Sequence, residues 1–177
     1  GIDSEIYHEL DLKYREHFER IVEGAGYYDV FLISLDGWIV FSASHESDFA
    51  TNLLTGPYRD TGLGQVFRQA LETRKSSISN FEYYEPSKGA IAAFVAVPII
   101  IEGEAHGVFA LQIYSEHVFE VLTNNVGLGK SGETIVTRLE NKHQALVMAP
   151  LRDEPDAALK RMISLDDPIL ATAIKKS

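Results

Sequence analysis

Residues 27–42, YYDVFLISLDGWIVFS, decide the fold of this chain. Two runs rich in β-branched and aromatic residues flank Leu35, Asp36 and Gly37. An Asp-Gly pair between two such runs is a strong signal for a β-hairpin with a two-residue turn. The sequence therefore predicts an antiparallel hairpin here, with a sheet built outward from it.

Helical patterns lie on both sides of this hairpin. Over positions 3–23 apolar residues recur every three or four positions, which places them on one face of a long helix. They are Ile6, Tyr7, Leu10, Tyr14, Phe18, Ile21 and Val22. Gly24 and Gly26 end this pattern. The stretch 61–75, TGLGQVFRQALETRK, predicts a second helix with Thr61 as its N-cap.

The strands that complete the sheet follow the second helix. Residues 76–89 predict a short strand and a turn, and the apolar runs 90–101 and 105–114 predict two central strands. This order of helix, hairpin, helix and strands is typical of an α+β domain. We expect a five-stranded antiparallel sheet with helices on one face and the long N-terminal helix alongside.

The remaining sequence predicts a smaller set of elements. Residues 115–125 have helical spacing, and 132–140 and 143–151 form a second hairpin pattern around Asn141 and Lys142. An acidic stretch follows. The last residues, 164–177, predict a helix that begins near Pro168. We interpret this region as part of a second module.

Composition narrows the classes of function. The 177 residues are 45% hydrophobic, contain no cysteine and carry a formal net charge of −10. That charge argues against a nucleic-acid partner, and the lack of cysteine excludes disulfides and thiolate metal sites. The longest apolar run has twelve residues and contains a proline, which is short of the roughly 20 residues that a spanning helix needs. We expect the chain to be cytosolic or a fragment of a longer protein.

The stretch 127–134, GLGKSGET, resembles the end of a phosphate-binding loop. That loop needs a glycine at the position that Asn124 occupies, and it follows a strand and opens a helix. Here a helical pattern comes before it and a strand pattern after it. We therefore interpret it as a glycine-rich connection, with Gly127 or Gly129 as a helix C-cap.

No signature of catalysis or metal binding is found in the sequence. The six histidines, at positions 8, 17, 45, 106, 117 and 143, lack the close spacing of zinc ligands. The acidic residues Asp153, Glu154 and Asp156 do not follow a calcium-loop pattern. A nucleophile elbow, a His-Glu-x-x-His motif and a cysteine nucleophile are all missing. We predict no metal, no cofactor and no enzyme activity.

Five separated motifs resemble, in order and spacing, the extracytoplasmic double Cache domains of bacterial and archaeal receptors. They are residues 27–42, 48–63 (DFATNLLTGPYRDTGL), 78–99 (ISNFEYYEPSKGAIAAFVAVPI), 107–113 (GVFALQI) and 127–134. The resemblance covers about residues 3–140. Residues 145–163 also resemble the second module of Cache domains on sensor histidine kinases.

The resemblance implies three segments of an extracytoplasmic receptor domain. These are a stalk helix at 1–26, a membrane-distal PAS-like module at 27–124 and the start of a truncated membrane-proximal PAS-like module at 125–177. It also implies a small-molecule ligand in the distal module, a membrane anchor outside this fragment and an output such as a histidine kinase. The apolar stripe of the first helix would permit a homodimer.

The resemblance also suggests ligand-binding residues, which are Tyr58, Arg59, Asp60, Tyr84, Phe94 and Gln112. Gln112 stands where amino-acid-binding members place an aspartate that holds the ligand's ammonium group, so a free α-amino acid is disfavoured. Arg59 could still hold a carboxylate, because guanidinium pairs bidentately with it.

Each of these residues also has a structural explanation. Arg59 and Asp60 could form an exposed ion pair, and the aromatic residues Phe81, Tyr83 and Tyr84 could be core rather than pocket walls. Gln112, if buried, must find hydrogen-bond partners in either case. The alternative function is a PAS-like interaction or dimerisation module without a small-molecule ligand.

Overall fold

A computed structural model describes residues 4–123 and 132–166 of the chain. The chain divides into two compact units, Gly1–Ser115 and Glu116–Ser177. The boundary between them falls after Ser115, the first residue of the helical pattern at 115–125, which the sequence-based division assigned to the distal module. That division, with its limits at 26 and 124, stays a prediction.

The first unit is an α+β domain built on one antiparallel sheet. Its elements are α1 Ser4–Ala25, β1 Tyr27–Ile33, β2 Ile39–Ser42, α2 Gly62–Thr73, β3 Ser77–Ile78, β4 Glu82–Tyr84, β5 Ala90–Ile101 and β6 Glu104–Tyr114. The strand order is β2-β1-β6-β5-β3, and β4 also pairs with β5. The sheet is thus five strands wide, with the fifth place shared by two short strands. The predicted fold class is confirmed.

The β1–β2 hairpin is present, but its turn is longer than predicted. The Ser34 N–H donates to the Trp38 carbonyl at 2.9 Å, so three residues form the loop between them. Gly37 occupies it with φ +90°, in the left-handed region that glycine adopts at no steric cost. A three-residue loop with glycine at this place is a common hairpin connection, and the Asp-Gly signal alone did not distinguish it from the shorter turn.

The two faces of the sheet are covered by different helices. Strand residues of one parity, including Phe31, Phe94 and Val108, join α2 side chains such as Phe67 in one fully buried core. Residues of the other parity point the opposite way. Phe109 lies there, and its ring is 6.3 Å from the ring of Phe18 in α1.

Helix α1 is anchored at the Phe18 turn. Phe18 packs on Phe41 with ring centroids 4.9 Å apart, and the Arg15 guanidinium lies 5.2 Å from the same ring. Tyr14 of the predicted stripe is 44% exposed. The structure does not describe the side chains of four other stripe residues, Ile6, Tyr7, Leu10 and Ile21.

Helix α2 begins where the sequence predicted. The Thr61 Oγ1 accepts from the Gly64 N–H at 3.4 Å, and the Glu82 carboxylate accepts from the Gly62 N–H at 2.7 Å. Both satisfy N–H groups that a helix start leaves unpaired. Leu63, Val66, Phe67 and Ala70 are buried as expected. The helix therefore holds the loop before it against the core.

The second unit contains a smaller sheet. Helix α3 spans Ser115–Leu122, and strands β7 Thr137–Leu139, β8 Gln144–Val147 and β9 Met162–Ser164 pair in the order β7-β8-β9. The predicted second hairpin is confirmed, and β9 was missed because three residues, Met-Ile-Ser, carry no alternation long enough to detect. A short 3₁₀ helix lies at Pro155–Ala157.

Two sequence predictions fall outside the described residues. Most of the GLGKSGET stretch, with the helix C-cap proposed at Gly127 or Gly129, lies there. The C-terminal helix predicted from Pro168 onward lies there as well. Among the helices that are described, none is long and apolar enough to cross a membrane.

Candidate ligand-binding site in the first unit

Polar side chains gather at one end of the core face of the first sheet. We call this group the buried polar cluster, and it consists of Asp29, Glu46, Asp48, Tyr84, Ser87 and Gln112. Asp29 and Gln112 face each other across β1 and β6, and Phe94 pairs with Gln112 from β5. Glu46 and Asp48 come from the loop after β2. Sheet and loop therefore meet at this cluster.

Asp29 is the most completely bonded member. It is fully buried, and its carboxylate accepts five hydrogen bonds. Three come from the N–H groups of Val30, Ala43 and Ser44, at 2.7, 2.9 and 3.0 Å. Two come from the hydroxyls of Ser42 and Ser44. This carboxylate fixes the chain as it leaves β2.

A chain of side-chain hydrogen bonds links Glu46 to Gln112. The Tyr28 hydroxyl donates to Glu46 Oε1 at 2.7 Å, and the Ser87 hydroxyl donates to Oε2 at 2.7 Å. Gln112 Nε2 then donates to Ser87 Oγ at 2.9 Å. Burial, followed by the neighbouring Glu46, raises the pKa of Tyr28 to about 12.

The orientation of the Gln112 amide follows from this chain. A carboxylate only accepts hydrogen bonds, so the single hydrogen of Ser87 is used on Glu46. The Ser87 oxygen then accepts, and Gln112 must present its NH₂ group to it. The Gln112 carbonyl oxygen is consequently the end of the amide that faces away from Ser87.

Asp48 is held on one side only. It is fully buried, and its Oδ2 accepts from the Tyr84 hydroxyl at 2.5 Å. Burial raises the pKa of Asp48 to about 6, the Tyr84 hydrogen bond opposes this, and the nearby carboxylates of Asp29 and Glu46 raise it further. Burial and the Asp48 charge likewise raise the pKa of Tyr84.

Two buried acceptor oxygens have no hydrogen-bond partner among the described residues. They are Oδ1 of Asp48 and Oε1 of Gln112, whose residues are 0% and 1% exposed. A buried acceptor without a partner costs about 1–3 kcal/mol, so such groups are rare in folded proteins. A pair of them in one cluster indicates a place where a donor from outside the chain would be favourable.

Aromatic rings form one side of the cluster. Tyr84 lies edge-on to Phe94 with ring centroids 4.8 Å apart, and Tyr58 lies 6.2 Å from Tyr84. Tyr58 is also tied down at its hydroxyl, which contacts Ser47 and donates to Glu85, each at 2.8 Å. The site thus combines an apolar wall with a few polar groups, which is typical of small-molecule sites.

Similar solved structures are ligand-binding domains of bacterial chemoreceptors. That of Pseudomonas fluorescens CtaA with L-serine has a TM-score of 0.56 at 10% identity, and the match covers 86% of this chain and 58% of that one. That of Pseudomonas aeruginosa PctC with GABA has a TM-score of 0.56 at 16% identity, and the match covers 92% of this chain and 62% of that one. That of Pseudomonas aeruginosa PctB with L-Arg has a TM-score of 0.53 at 16% identity, and the match covers 88% of this chain and 58% of that one.

The chain has the fold of Cache-type sensor domains. It spans about three fifths of the length of these chemoreceptor domains. The sequence matches no protein-family model and no curated protein. At these identities the likeness establishes the fold, which agrees with the resemblance that the five motifs carry.

Within the Cache fold, four of the six predicted ligand-binding residues come together. Tyr84, Phe94 and Gln112 are buried at the cluster, and Tyr58 packs beside them. Arg59 and Asp60 do not join the cluster. Their side chains are 57% and 83% exposed and pair with each other at 3.2 Å. The assignment of the six residues to a ligand stays a prediction.

Sequence reasoning missed the carboxylates of the cluster. Asp29 had a detectable signal, because it shares its strand parity with Phe31 and Ile33 and so occupies a core position in β1. The sequence signal for Glu46 and Asp48 was weaker. They lie in a long polar loop, and such loops are often functional, but polar loop residues are normally exposed.

A cavity of about 490 Å³ lies in the second unit and not at the cluster. It is lined by Glu133, Ile135, Leu151, Asp153, Glu154, Arg161, Met162, Ile163 and Ser164. The case for a ligand in the first unit therefore rests on the unsatisfied oxygens. In the described part of the chain no group of three or more His, Asp or Glu side chains could hold a metal ion.

Proposed function

We propose that this chain is the ligand-sensing part of a membrane receptor, exposed outside the cytoplasmic membrane, and that its first unit binds a small molecule at the buried polar cluster. The observation that carries the proposal is the pair of buried, unsatisfied oxygens on Asp48 and Gln112. The similar structures support it as a class, because they are ligand-binding domains with L-serine, GABA and L-Arg.

The receptor type belongs to the same proposal. We infer that the chain itself has no enzyme activity and that a membrane anchor and an output module, such as a histidine kinase, belong to the complete receptor. The motif resemblance to Cache domains of sensor kinases supports this inference. A homodimer formed through α1 stays a prediction.

The contacts around Ala43 support a route from the ligand to α1. The Arg15 guanidinium in α1 donates to the Ala43 carbonyl at 3.2 Å. The Ala43 N–H donates to the Asp29 carboxylate at 2.9 Å. Glu46 and Asp48 follow on the same loop. A ligand that moves this loop would therefore change the contacts of α1, provided that it binds two positions of the loop with different affinity.

A thermal-shift panel tests the function. Organic acids, amines, amino acids, nucleobases and sugars would be added to the chain, with Mg-ATP included for the GLGKSGET stretch. A ligand at 100 times its Kd adds about 2.7 kcal/mol, which raises the Tm by several degrees in a domain of this size. A Tm that no compound changes would contradict ligand binding and favour the interaction module.

Hydrogen exchange tests the relay to α1. With a ligand found by the panel, we expect slower or faster amide exchange in α1 than in the free chain, while α2, away from the Ala43 contacts, serves as the internal reference. Equal exchange along residues 4–25 with and without a bound ligand would contradict the relay and leave the binding proposal intact.

A further inference from the structure

The two buried side-chain atoms of the cluster that have no hydrogen-bond partner among the described residues are both acceptor oxygens. The hydroxyl hydrogens of Tyr84 and Ser87 are used on Asp48 and Glu46, and one hydrogen of the Gln112 NH₂ group is used on Ser87. The two oxygens are Oδ1 of Asp48 and Oε1 of Gln112. A ligand that satisfies both must present N–H or O–H donors.

The carboxylates of Asp29, Glu46 and Asp48 form no ion pair with a basic side chain among the described residues of the chain. Asp29, Glu46 and Asp48 lie close enough for the first two to affect the ionisation of the third. Their hydrogen-bond partners among the described residues are hydroxyls and backbone N–H groups. Asp29 and Asp48 are fully buried and Glu46 is half-buried. Carboxylates so placed favour an added cation, because the local dielectric is low and screening by water is weak.

The aromatic wall suits the same kind of ligand. Tyr84 and Phe94 are fully buried and Tyr58 packs on Tyr84. Aromatic faces attract ammonium groups, and they provide apolar surface for the carbon skeleton attached to such a group.

None of the six residues that define the buried polar cluster is a cation that could hold a ligand carboxylate. The predicted carboxylate holder, Arg59, is 57% exposed and paired with Asp60. The free acceptor oxygens of the cluster would repel a second carboxylate. Both observations separate this site from one that takes a zwitterion.

We propose that the ligand of the buried polar cluster is a protonated organic amine without a carboxylate, with its N–H donors on Asp48 Oδ1 and Gln112 Oε1. This proposal rests on the proposed function and specifies the ligand class of the same site.

Compounds of one carbon skeleton test the proposal. The Tm of the chain would be measured with butylamine, 1,4-diaminobutane, butanol, butyrate and 4-aminobutyrate, together with propyl, pentyl and hexyl amines. We expect concentration-dependent rises with one or more amines, and none with butanol or butyrate. A rise with 4-aminobutyrate that equals or exceeds every amine would overturn the exclusion of carboxylates.

Three variants show whether the amine binds at the cluster. Asp48→Asn keeps the shape and removes the charge, so the amine affinity should fall roughly tenfold to a hundredfold, as expected for a lost charged hydrogen bond. Gln112→Leu removes the second acceptor and should also weaken binding. Asp156→Asn changes an exposed aspartate of the second unit and should leave the affinity unchanged.

The outcomes separate this proposal from the broader one. If acids, sugars or neutral compounds of the larger panel raise the Tm and amines do not, the amine class is wrong and ligand sensing stands. If the amine response persists in both Asp48→Asn and Gln112→Leu, with each variant shown to be folded by its own cooperative unfolding curve, the site is wrong. If no compound acts, both proposals fall.

Discussion

Two buried aspartates on one face of the sheet have opposite surroundings. Asp29 accepts five hydrogen bonds from three backbone N–H groups and two hydroxyls. Asp48, in the loop that follows, accepts from Tyr84 through one oxygen and leaves the other without a partner among the described residues. Both residues are fully buried.

The difference shows that burial of a charge does not by itself indicate function. At Asp29 the chain itself supplies the donors that a buried carboxylate requires, so the residue explains the local structure. At Asp48 the fold leaves part of that requirement unmet. A cost of this kind persists in a folded protein when something else makes use of the group, and such groups concentrate at functional sites.

The largest expected effect is on the stability of Asp29→Ala. The change leaves five donors without their acceptor, in two buried and three part-buried hydrogen bonds, so we expect the free energy of unfolding to fall by about 3–5 kcal/mol. Chemical denaturation measures it. The exposed Asp156→Ala serves as control and should change the value by less than about 0.5 kcal/mol. A loss below 1 kcal/mol at Asp29 would show that the donors find water instead.

Asp48→Asn is expected to act in the opposite direction. Because burial and neighbouring carboxylates raise the pKa of Asp48 to about 6, its ionised form destabilises the folded chain at pH 7. Removal of the charge should raise the free energy of unfolding by about 1–3 kcal/mol at that pH, while the amine affinity falls. Destabilisation by the same variant would mean that the Asp48 charge is compensated in the fold.

The pH dependence of that gain is a separate prediction. With a folded pKa of about 6 against an ordinary value of 3.8, Asp48 takes up a proton more readily in the folded chain. Its contribution to stability is therefore greatest below pH about 4 and is lost as the pH rises through about 6. The advantage of Asp48→Asn over the unmodified chain should accordingly shrink from pH 7 to pH 4. A constant difference across this range would contradict the raised pKa.

The sequence predicts the frame of the first unit well, because its signals are local. The hairpin, the Thr61 cap and the apolar runs that become β5 and β6 each depend on residues close in the chain. The cluster is different. It joins Asp29, Asp48 and Gln112 from two strands and a loop, and whether a buried oxygen has a partner depends on contacts between distant segments. No spacing in the sequence encodes that.

Gln112 shows how far the sequence could lead toward the site. Its place in an apolar strand predicted that it would need hydrogen-bond partners if buried, and the structure gives it one, Ser87, and leaves its carbonyl oxygen without one. The family resemblance also suggested that loss of a carboxylate at this position disfavours a free α-amino acid. The loop residues Glu46 and Asp48 bring carboxylates to the cluster from another part of the chain, which only the fold reveals.

The smallest expected effect is that of Arg59→Ala, although Arg59 was a predicted ligand-binding residue. Its guanidinium is exposed and contacts Asp60, and exposed ion pairs contribute about 0–1 kcal/mol. We therefore expect a change in unfolding free energy below about 0.5 kcal/mol and an unchanged Tm response to the amine. The Arg68 guanidinium donates to the backbone carbonyl of Arg59, and this hydrogen bond remains when the Arg59 side chain is removed. If Arg59→Ala instead abolished the response to a ligand, the guanidinium would have to turn inward on binding. The ligand would then carry a carboxylate, and the contrast between Asp29 and Asp48 would no longer identify its class.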